Sequence, residues 1–370
     1  MLEIDKNTKK KIVWLTADYF IDVDIPIVPK LAIKYDIRWY IIKSKNSNIE
    51  ISTLDGAKAE IIQLPYSSKN PMLIFTYYKM LRIIKKIQAD LIYVDIVGFP
   101  FFHPILLQII GPKNVIHAAH NVLPYNGWPN KKAFSTYIRY VFNNFNNFHL
   151  FSKHLLNYFD LKYNNKKTFY APLSLKNYGD PGIHSNEDDR VEFLFFGNVK
   201  LNKRLDLLIN AFKALPTEVK SRAMLVIAGQ CDNQEYYRQL ISNDEHIKAD
   251  FRRIPDIEIP LLFARSKFLV LPYENVAQSG PHMIAYNYEV PVIATDIQGF
   301  SERVIDNETG FLFEVNNSKK LTEVLIKAVM LTEQDYSEMK EKLCEQIKSD
   351  FKTEVILDKY ESFFDSILDN

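Results

Sequence analysis

The chain is short of cysteine, of long apolar runs and of net charge. Two cysteines in 370 residues, Cys231 and Cys344, cannot build a disulfide framework or a four-thiolate zinc site. No stretch reaches the ~18 uninterrupted apolar residues that a spanning helix needs. The nearest, Ile96 to Ile110, is broken by Pro100, His103, Pro104 and Gln108. The first residues, MLEIDKNTKKK, are charged and lack the apolar region of a signal peptide. No internal repeat of solenoid period and no low-complexity tract is found. Against these absences stand 47% hydrophobic residues, enough for real cores and against bulk disorder. The length suits two domains of roughly 150–200 residues each. A cytoplasmic two-domain protein is the expectation.

The formal net charge of +1 conceals an asymmetry. Residues 1–180 carry 24 Lys and Arg against 13 Asp and Glu, a net +11. Residues 181–370 carry 22 against 32, a net −10. A basic half and an acidic half predict two domains facing different partners. The basic half raises nucleic acid as a partner, but neither a recognised module nor a basic–aromatic repeat is present, so none is expected.

Short apolar runs alternate with helical patterns. KIVWLT (11–16), IRWYII (37–42), EIIQL (60–64), DLIY (90–93), VIHAA (115–119) and FHLFS (148–152) read as buried strands. Helical patterns lie near 24–34, 70–88, 98–110 and 130–145. After a polar stretch at 174–190, strands are predicted at 192–196, 223–228, 268–272 and 292–295. Helices follow them near 204–215, 233–242, 281–289 and 318–331. This alternation predicts an α/β fold of two Rossmann-like doubly wound domains, residues 1–175 and 176–350, facing across a cleft. Residues 351–370 read as a closing amphipathic helix.

Three segments carry chemistry. In the first, a strand ends at Phe196-Gly197 and runs on through Asn198, Lys200 and Lys203. Glycine lets the backbone approach a ligand, and lysines at a strand's carboxyl end can neutralise a diphosphate. In the second, Gln278-Ser279-Gly280 leads into a helix with Pro281 in its first turn. Unpaired N–H groups there suit an anion. In the third, His120-Asn121 closes a strand, where an imidazole could meet a sugar hydroxyl or a phosphate. His117 lies on the opposite face of that strand and reads as a core histidine.

On these residues the chain resembles a retaining glycosyltransferase of the family 4 type, which has the two-domain GT-B fold. Gly197, Lys203 and Leu208 fit that family's strand–Gly…Lys–Gly–x–x–x–L pattern. Pro291-Val292-Ile293-Ala294-Thr295 with Gly299 and Glu302 fits its P-V-I-A-S…G-G-x-x-E stretch, and Asn307 to Leu312 fits its N-G-x-x-G-x-L turn. His120 stands at the place of the family's amino-terminal histidine. The closing helix resembles the one that returns to the amino-terminal domain. Three departures stand out. The family's two glutamates, eight positions apart, fall on Val276 and Ile284. Asn198 and Arg204 replace an arginine and a glycine. Ala17 to Asp22 stands where a Gly-Gly turn is usual. Gln278-Ser279-Gly280 resembles a variant branch with Q-S-G in this loop.

The resemblance implies transfer of a sugar from a UDP- or GDP-sugar to a glycan or lipid-linked sugar, with retention, in bacterial surface polysaccharide biosynthesis. Donor contacts are expected from Gly197, Asn198, Lys200, Lys203, Gln278, Ser279, Gly280 and Glu302. His120 and Lys203 are the expected catalytic residues. Acceptor contacts are expected from Asp18, Tyr19, Asp22 and Asn121. No metal or cofactor is expected; Asp22-Val23-Asp24 reads as a helix-capping pair. The 70–88 helix carries Phe75, Tyr78, Lys79, Arg82 and Lys86 on one face, which suits peripheral contact with an anionic membrane. The alternatives are a non-catalytic nucleotide-sugar-binding scaffold of a polysaccharide assembly complex and a nucleotide-sugar epimerase. The epimerase would need the missing cleft carboxylates.

Overall fold

The computed structural model describes residues 9–47, 58–122, 130–182, 190–276 and 278–369. The described residues divide into two compact units: 9–122, 130–174 and 353–369 form the first, and 175–352 the second.

The first unit holds seven strands: β1 (Lys11–Ala17), β2 (Asp36–Lys43), β3 (Lys58–Gln63), β4 (Leu91–Asp95), β5 (Val115–Ala119), β6 (Asn147–Leu150) and β7 (Lys167–Tyr170). They pair in parallel in the order β3-β2-β1-β4-β5-β6-β7. Parallel strands are covered on both faces, so they are apolar throughout and not alternating. Ile12 to Ala17 of β1 are all buried, as is every residue of β4 and β5. The second unit holds β8 (Val191–Phe196), β9 (Ala223–Ala228), β10 (Ile247–Asp250), β11 (Phe268–Leu271), β12 (Val292–Thr295) and β13 (Gly310–Phe313). Their order, β10-β9-β8-β11-β12-β13, is again all parallel. In each sheet the first strand lies inside and the winding reverses beside it. Such a reversal opens a crevice at the strand carboxyl ends, between β1 and β4 and between β8 and β11.

The helix Thr353–Leu368 belongs to the first unit. Its Tyr360 and Phe364 pack on Trp14 and Tyr93, which stack at 3.8 Å, and Phe363 stacks on Phe169 at 4.4 Å. Lys34 adds ion pairs to Glu361 (2.9 Å) and Asp365 (3.2 Å).

The helix predicted over 24–34 is instead two single turns, Ile21–Asp24 and Val28–Leu31. Pro26 and Pro29 each remove a backbone donor and clash with the preceding turn, so a continuous helix cannot form. Strands β7, β10 and β13 were not predicted. All three are edge strands, and β7 and β10 carry polar and charged residues where a central strand is apolar. The helix Glu333–Gln346 was also missed, because its sequence is mostly polar. A capping box between Thr332 and Asp335 starts it.

Candidate functional site

In the second unit, β8 ends and the chain turns at Gly197, whose φ of +106° favours glycine. Gly229, after β9, has φ +149°, and a Cβ there would lie 2.2 Å from the Gly197 carbonyl oxygen. No side chain fits at 229, so the two turns touch backbone to backbone. The Cβ position of Gly197 lies 3.3 Å from Lys203 Nζ and 3.4 Å from Pro281 Cγ. Lys203 is therefore held between this turn and the helix Gly280–Asn287. Its ammonium sits 5.3 Å from the centroid of the Tyr273 ring. Among the described residues no carboxylate pairs with it. Burial, and then the Lys200 charge, lowers its pKa to about 8.

The helix end offers fewer donors than a bare N-terminus would. Pro281 has no N–H, the His282 N–H goes to Ser279 Oγ (3.4 Å), and the Met283 N–H goes to the Ser279 carbonyl (3.4 Å). Ser279 is thus the N-cap, and the Gly280 N–H remains. A second ammonium is close: Lys176 Nζ is 3.3 Å from the Cβ position of Gly280. Sequence reasoning missed Lys176, which lies in the polar linker with no motif around it. A half-buried cation without a counter-ion among the described residues, beside a second ammonium and a helix N-terminus, suits an anion.

Lys200 is placed elsewhere. It is exposed and pairs with Asp232 at 2.9 Å. With Asn202, Arg204, Asp206, Tyr236 and Glu274 it lines a cavity of about 980 Å3 that does not include Lys203. Asn198 is exposed. Arg204 has φ +47°, the left-handed conformation that explains the glycine usual there. Its guanidinium is tied to both oxygens of Asp206 and to Asn316. Gln278 accepts from Arg303 (3.1 Å), and Arg303 pairs with Glu302 (3.0 Å). Both Glu302 and Gln278 are engaged with one buried arginine, and Gln278 keeps its amide N–H groups to donate. Val276 packs onto Gly299, where a Cβ would lie 2.5 Å from the Val276 carbonyl oxygen. Ile284 is buried. Neither family glutamate position presents a polar side chain.

In the first unit, His120 follows β5 and is clamped between two rings. Phe20 lies 3.8 Å and Phe151 4.3 Å from it, centroid to centroid, both nearly parallel. Its Nε2 is 2.7 Å from Oδ1 of Asp95, the last residue of β4. Burial lowers the imidazole pKa to about 3 and pushes the Asp95 carboxyl well up, with the Asp22 charge adding to the latter. Asp95 was not singled out from the sequence; its only signal is an acid closing an apolar strand.

The three acidic positions near β1 separate in role. Asp18 is buried and accepts from Ser44 N (3.0 Å) and Ser44 Oγ (3.2 Å), tying β1 to β2. Asp24 does not cap a helix, contrary to expectation. It is buried and accepts from Trp14 Nε1 (2.9 Å) and Thr16 Oγ1 (2.5 Å). Asp22 is exposed, and its charge is felt at Asp24, Asp95 and His120. Tyr19 is exposed and donates to the Val97 carbonyl. Asn121 is half-buried. His117 is a core histidine, wedged against Phe145 (4.2 Å) and His103 (4.9 Å).

The two parallel, doubly wound sheets have the GT-B fold of the solved structures that superpose on the chain. Residues 180–349 match the family described as glycosyl transferases group 1. Among solved structures, a glycosyltransferase from Rickettsia africae ESF-5 superposes with a TM-score of 0.79 at 19% identity, over 98% of this chain and all of that one. HepE of Anabaena, solved with UDP and glucose, superposes with a TM-score of 0.75 at 14% identity, over 96% of this chain and all of that one. In sequence the chain is similar to the alpha-1,3/1,6-mannosyltransferase alg-2 of Neurospora crassa, 24% identical over 52% of this chain and 49% of that protein. The matches span about half or less of the length of the curated relatives.

Proposed function

We propose that this protein is a retaining, metal-independent glycosyltransferase that moves a sugar from a UDP- or GDP-sugar to a glycan or lipid-linked glycan, in bacterial surface polysaccharide biosynthesis. The observation that carries this reading is Lys203: a half-buried ammonium with no carboxylate beside it among the described residues, past the end of β8 and against a helix N-terminus. The bond from the anomeric carbon to the diphosphate breaks with its electron pair going to the phosphate oxygen. Lys203, Lys176 and the Gly280 N–H then meet the growing charge. The acceptor oxygen bonds to the anomeric carbon on the same face, and its proton passes to the departing phosphate. His120, with Asp22 near it, is the first unit's candidate for contact with the sugar. UDP is the first nucleotide to test, since HepE is solved with it. A thermal-shift titration with UDP and GDP should stabilise the wild type and not Lys203→Ala. Stabilisation by neither nucleotide sinks the reading. Transfer should persist in excess chelator; loss restored by magnesium would refute metal independence.

The face of helix Leu73–Lys86 turned from the core carries Phe75, Tyr78, Ile83, Lys79, Arg82 and Lys86, all exposed. Apolar rings among cations suit an anionic membrane surface, where a lipid-linked acceptor would be met. No described helix is long and apolar enough to cross a membrane. Flotation with anionic liposomes should be lost when Lys79, Arg82 and Lys86 are replaced together; unchanged flotation removes this part.

One observation favours a second reading. Val276 and Ile284 supply no carboxylate where relatives of this type have glutamates, which suits a non-catalytic nucleotide-sugar-binding scaffold. Binding of UDP-glucose and GDP-sugars without transfer or hydrolysis would support it.

A further inference from the structure

The buried histidines of the first unit are held in different ways. His149 uses both ring nitrogens, Nδ1 with Tyr93 Oη (2.6 Å) and Nε2 with the Ala171 carbonyl (2.9 Å). His117 is packed among rings with Nε2 buried and without a partner. His120 commits one nitrogen only. Nε2 meets Asp95 Oδ1, while Nδ1 has no protein partner among the described residues. The stacks on Phe20 and Phe151, with ring planes 7° and 17° apart, prevent the ring from tilting. Asp95 Oδ2 is buried without a partner among the described residues, whereas His120 Nδ1 is not fully buried.

We infer that Asp95 is the positioning residue that fixes His120 as the Nε2–H tautomer, so that Nδ1 offers a lone pair to a sugar hydroxyl. This rests on the glycosyltransferase reading for the nature of the ligand. The ring is neutral because burial disfavours the imidazolium, so it carries a single proton. The partner of one ring nitrogen decides which nitrogen holds that proton. As a carboxylate, Asp95 only accepts, and the proton shared at 2.7 Å belongs to Nε2. Nδ1 is then an acceptor only. It repels phosphate oxygens, which bring lone pairs of their own, and takes a hydroxyl, which can donate. Of the two ligands first considered for His120, this excludes phosphate and keeps the sugar hydroxyl. Phosphate belongs to the Lys203 seat.

The test is a two-bond 1H–15N spectrum of the full chain labelled with 15N-histidine, with His120 assigned from the signals lost in His120→Gln. The wild type should show Nε2–H with a lone pair on Nδ1, in at least about tenfold excess over the other tautomer, as one strong hydrogen bond commands. Asp95→Leu should bring the two tautomers near parity. A wild type dominated by Nδ1–H overturns the inference, even if Asp95→Leu does not fold. An Asp95→Leu protein that folds and keeps the tenfold excess also overturns it. The two readings fail separately: absence of UDP and GDP binding by the wild type sinks the glycosyltransferase reading and leaves the tautomer result standing.

Discussion

At the switch point of the first unit, two buried carboxyl groups, Asp24 and Asp95, gather near a neutral histidine, with exposed Asp22 beside them. At the switch point of the second unit, a half-buried lysine lies between the Gly197 turn and a helix N-terminus. The strand order around the two points is the same, β3-β2-β1-β4 against β10-β9-β8-β11. Topology therefore fixes where a ligand can be met, and the local side chains fix the sign of what is met there. The sign also opposes that of the surroundings. The half with net charge +11 holds the acidic constellation, and the half with net −10 holds Lys203. Net charge describes the solvated surface, while the sites are set by a few groups that solvent screens poorly.

The comparison breaks most easily at the glycines. The basic site depends on Gly229, where any Cβ would meet the Gly197 carbonyl at 2.2 Å, while near the acidic site a Cβ at Gly98 would make only ordinary contact, 3.9 Å from Tyr19 Oη. Gly229→Ala should therefore cost about 3–4 kcal/mol, from backbone displacement and the left-handed φ together. Gly98→Ala should cost about 1 kcal/mol from its φ of +80° alone. Urea denaturation of both variants checks this. Equal losses would show that the two switch points are built with the same tolerance.

Next in size is the effect of Lys203 on nucleotide affinity. Lys203→Met should weaken UDP about 100-fold, by loss of a charge-assisted contact of about 2.7 kcal/mol. Asp24→Asn should leave UDP affinity unchanged, since that carboxyl belongs to the acidic site. Calorimetric titration of both reads it directly. pH gives the same contrast a sign. The free protein's Lys203 loses its proton near 8, and phosphate is already ionised above about 6. UDP affinity should fall about tenfold per pH unit above about 8, as it must when one proton is required for binding. The stability of the free protein should move the other way. Between about 8 and the ordinary 10.5 the unfolded chain holds a proton that the folded one has lost, so stability rises with pH. Both slopes should be steeper in the wild type than in Lys203→Met by these amounts; equal slopes would show that Lys203 is not the group that titrates.

Within the acidic site, Asp18 and Asp22 separate structure from function. Asp18→Ala should lose about 2 kcal/mol, because it leaves two half-buried Ser44 donors without their acceptor. Asp22→Ala should change stability by less than about 0.5 kcal/mol, as exposed substitutions do. If sugar transfer then falls with Asp22→Ala alone, the residue faces substrate. If it falls only with Asp18→Ala, stability explains the loss.

How much of this could be read from the sequence depended on the range of each contact. Strands buried on both faces are continuous apolar runs, so β1, β4, β8 and β11 were legible. Gly197, Lys203 and Ser279-Gly280-Pro281 were legible because each sits at a strand end or helix start that its neighbours announce. Asp95 was not, because its bond to His120 spans 25 positions. Gly229 was not, because what demands glycine there is the backbone of another strand. Asp24 was misread as a cap, since nothing local shows that its carboxyl turns to Trp14 and Thr16. Lys200 and Lys203 looked equivalent three residues apart; the intervening 3-10 turn Leu201–Lys203 sends one to Asp232 and the other to Tyr273.

The smallest expected effect marks the edge of the basic site. Arg204 stands beside Lys203 where relatives of this type have glycine, and it occupies φ +47°. Arg204→Gly relieves a left-handed conformation that costs a non-glycine residue about 1 kcal/mol. It also removes a half-exposed ion pair with Asp206 of about 0.5–1 kcal/mol and adds freedom to the unfolded chain. The terms nearly cancel, so the urea midpoint should shift by less than about 0.5 kcal/mol equivalent. UDP affinity should stay within about threefold, because Arg204 lines the cavity of Lys200 and Glu274 and not the seat of Lys203. A tenfold loss of UDP affinity would extend the anion seat into that cavity, and the site would then hold three cations in place of the two, Lys203 and Lys176, that border it here.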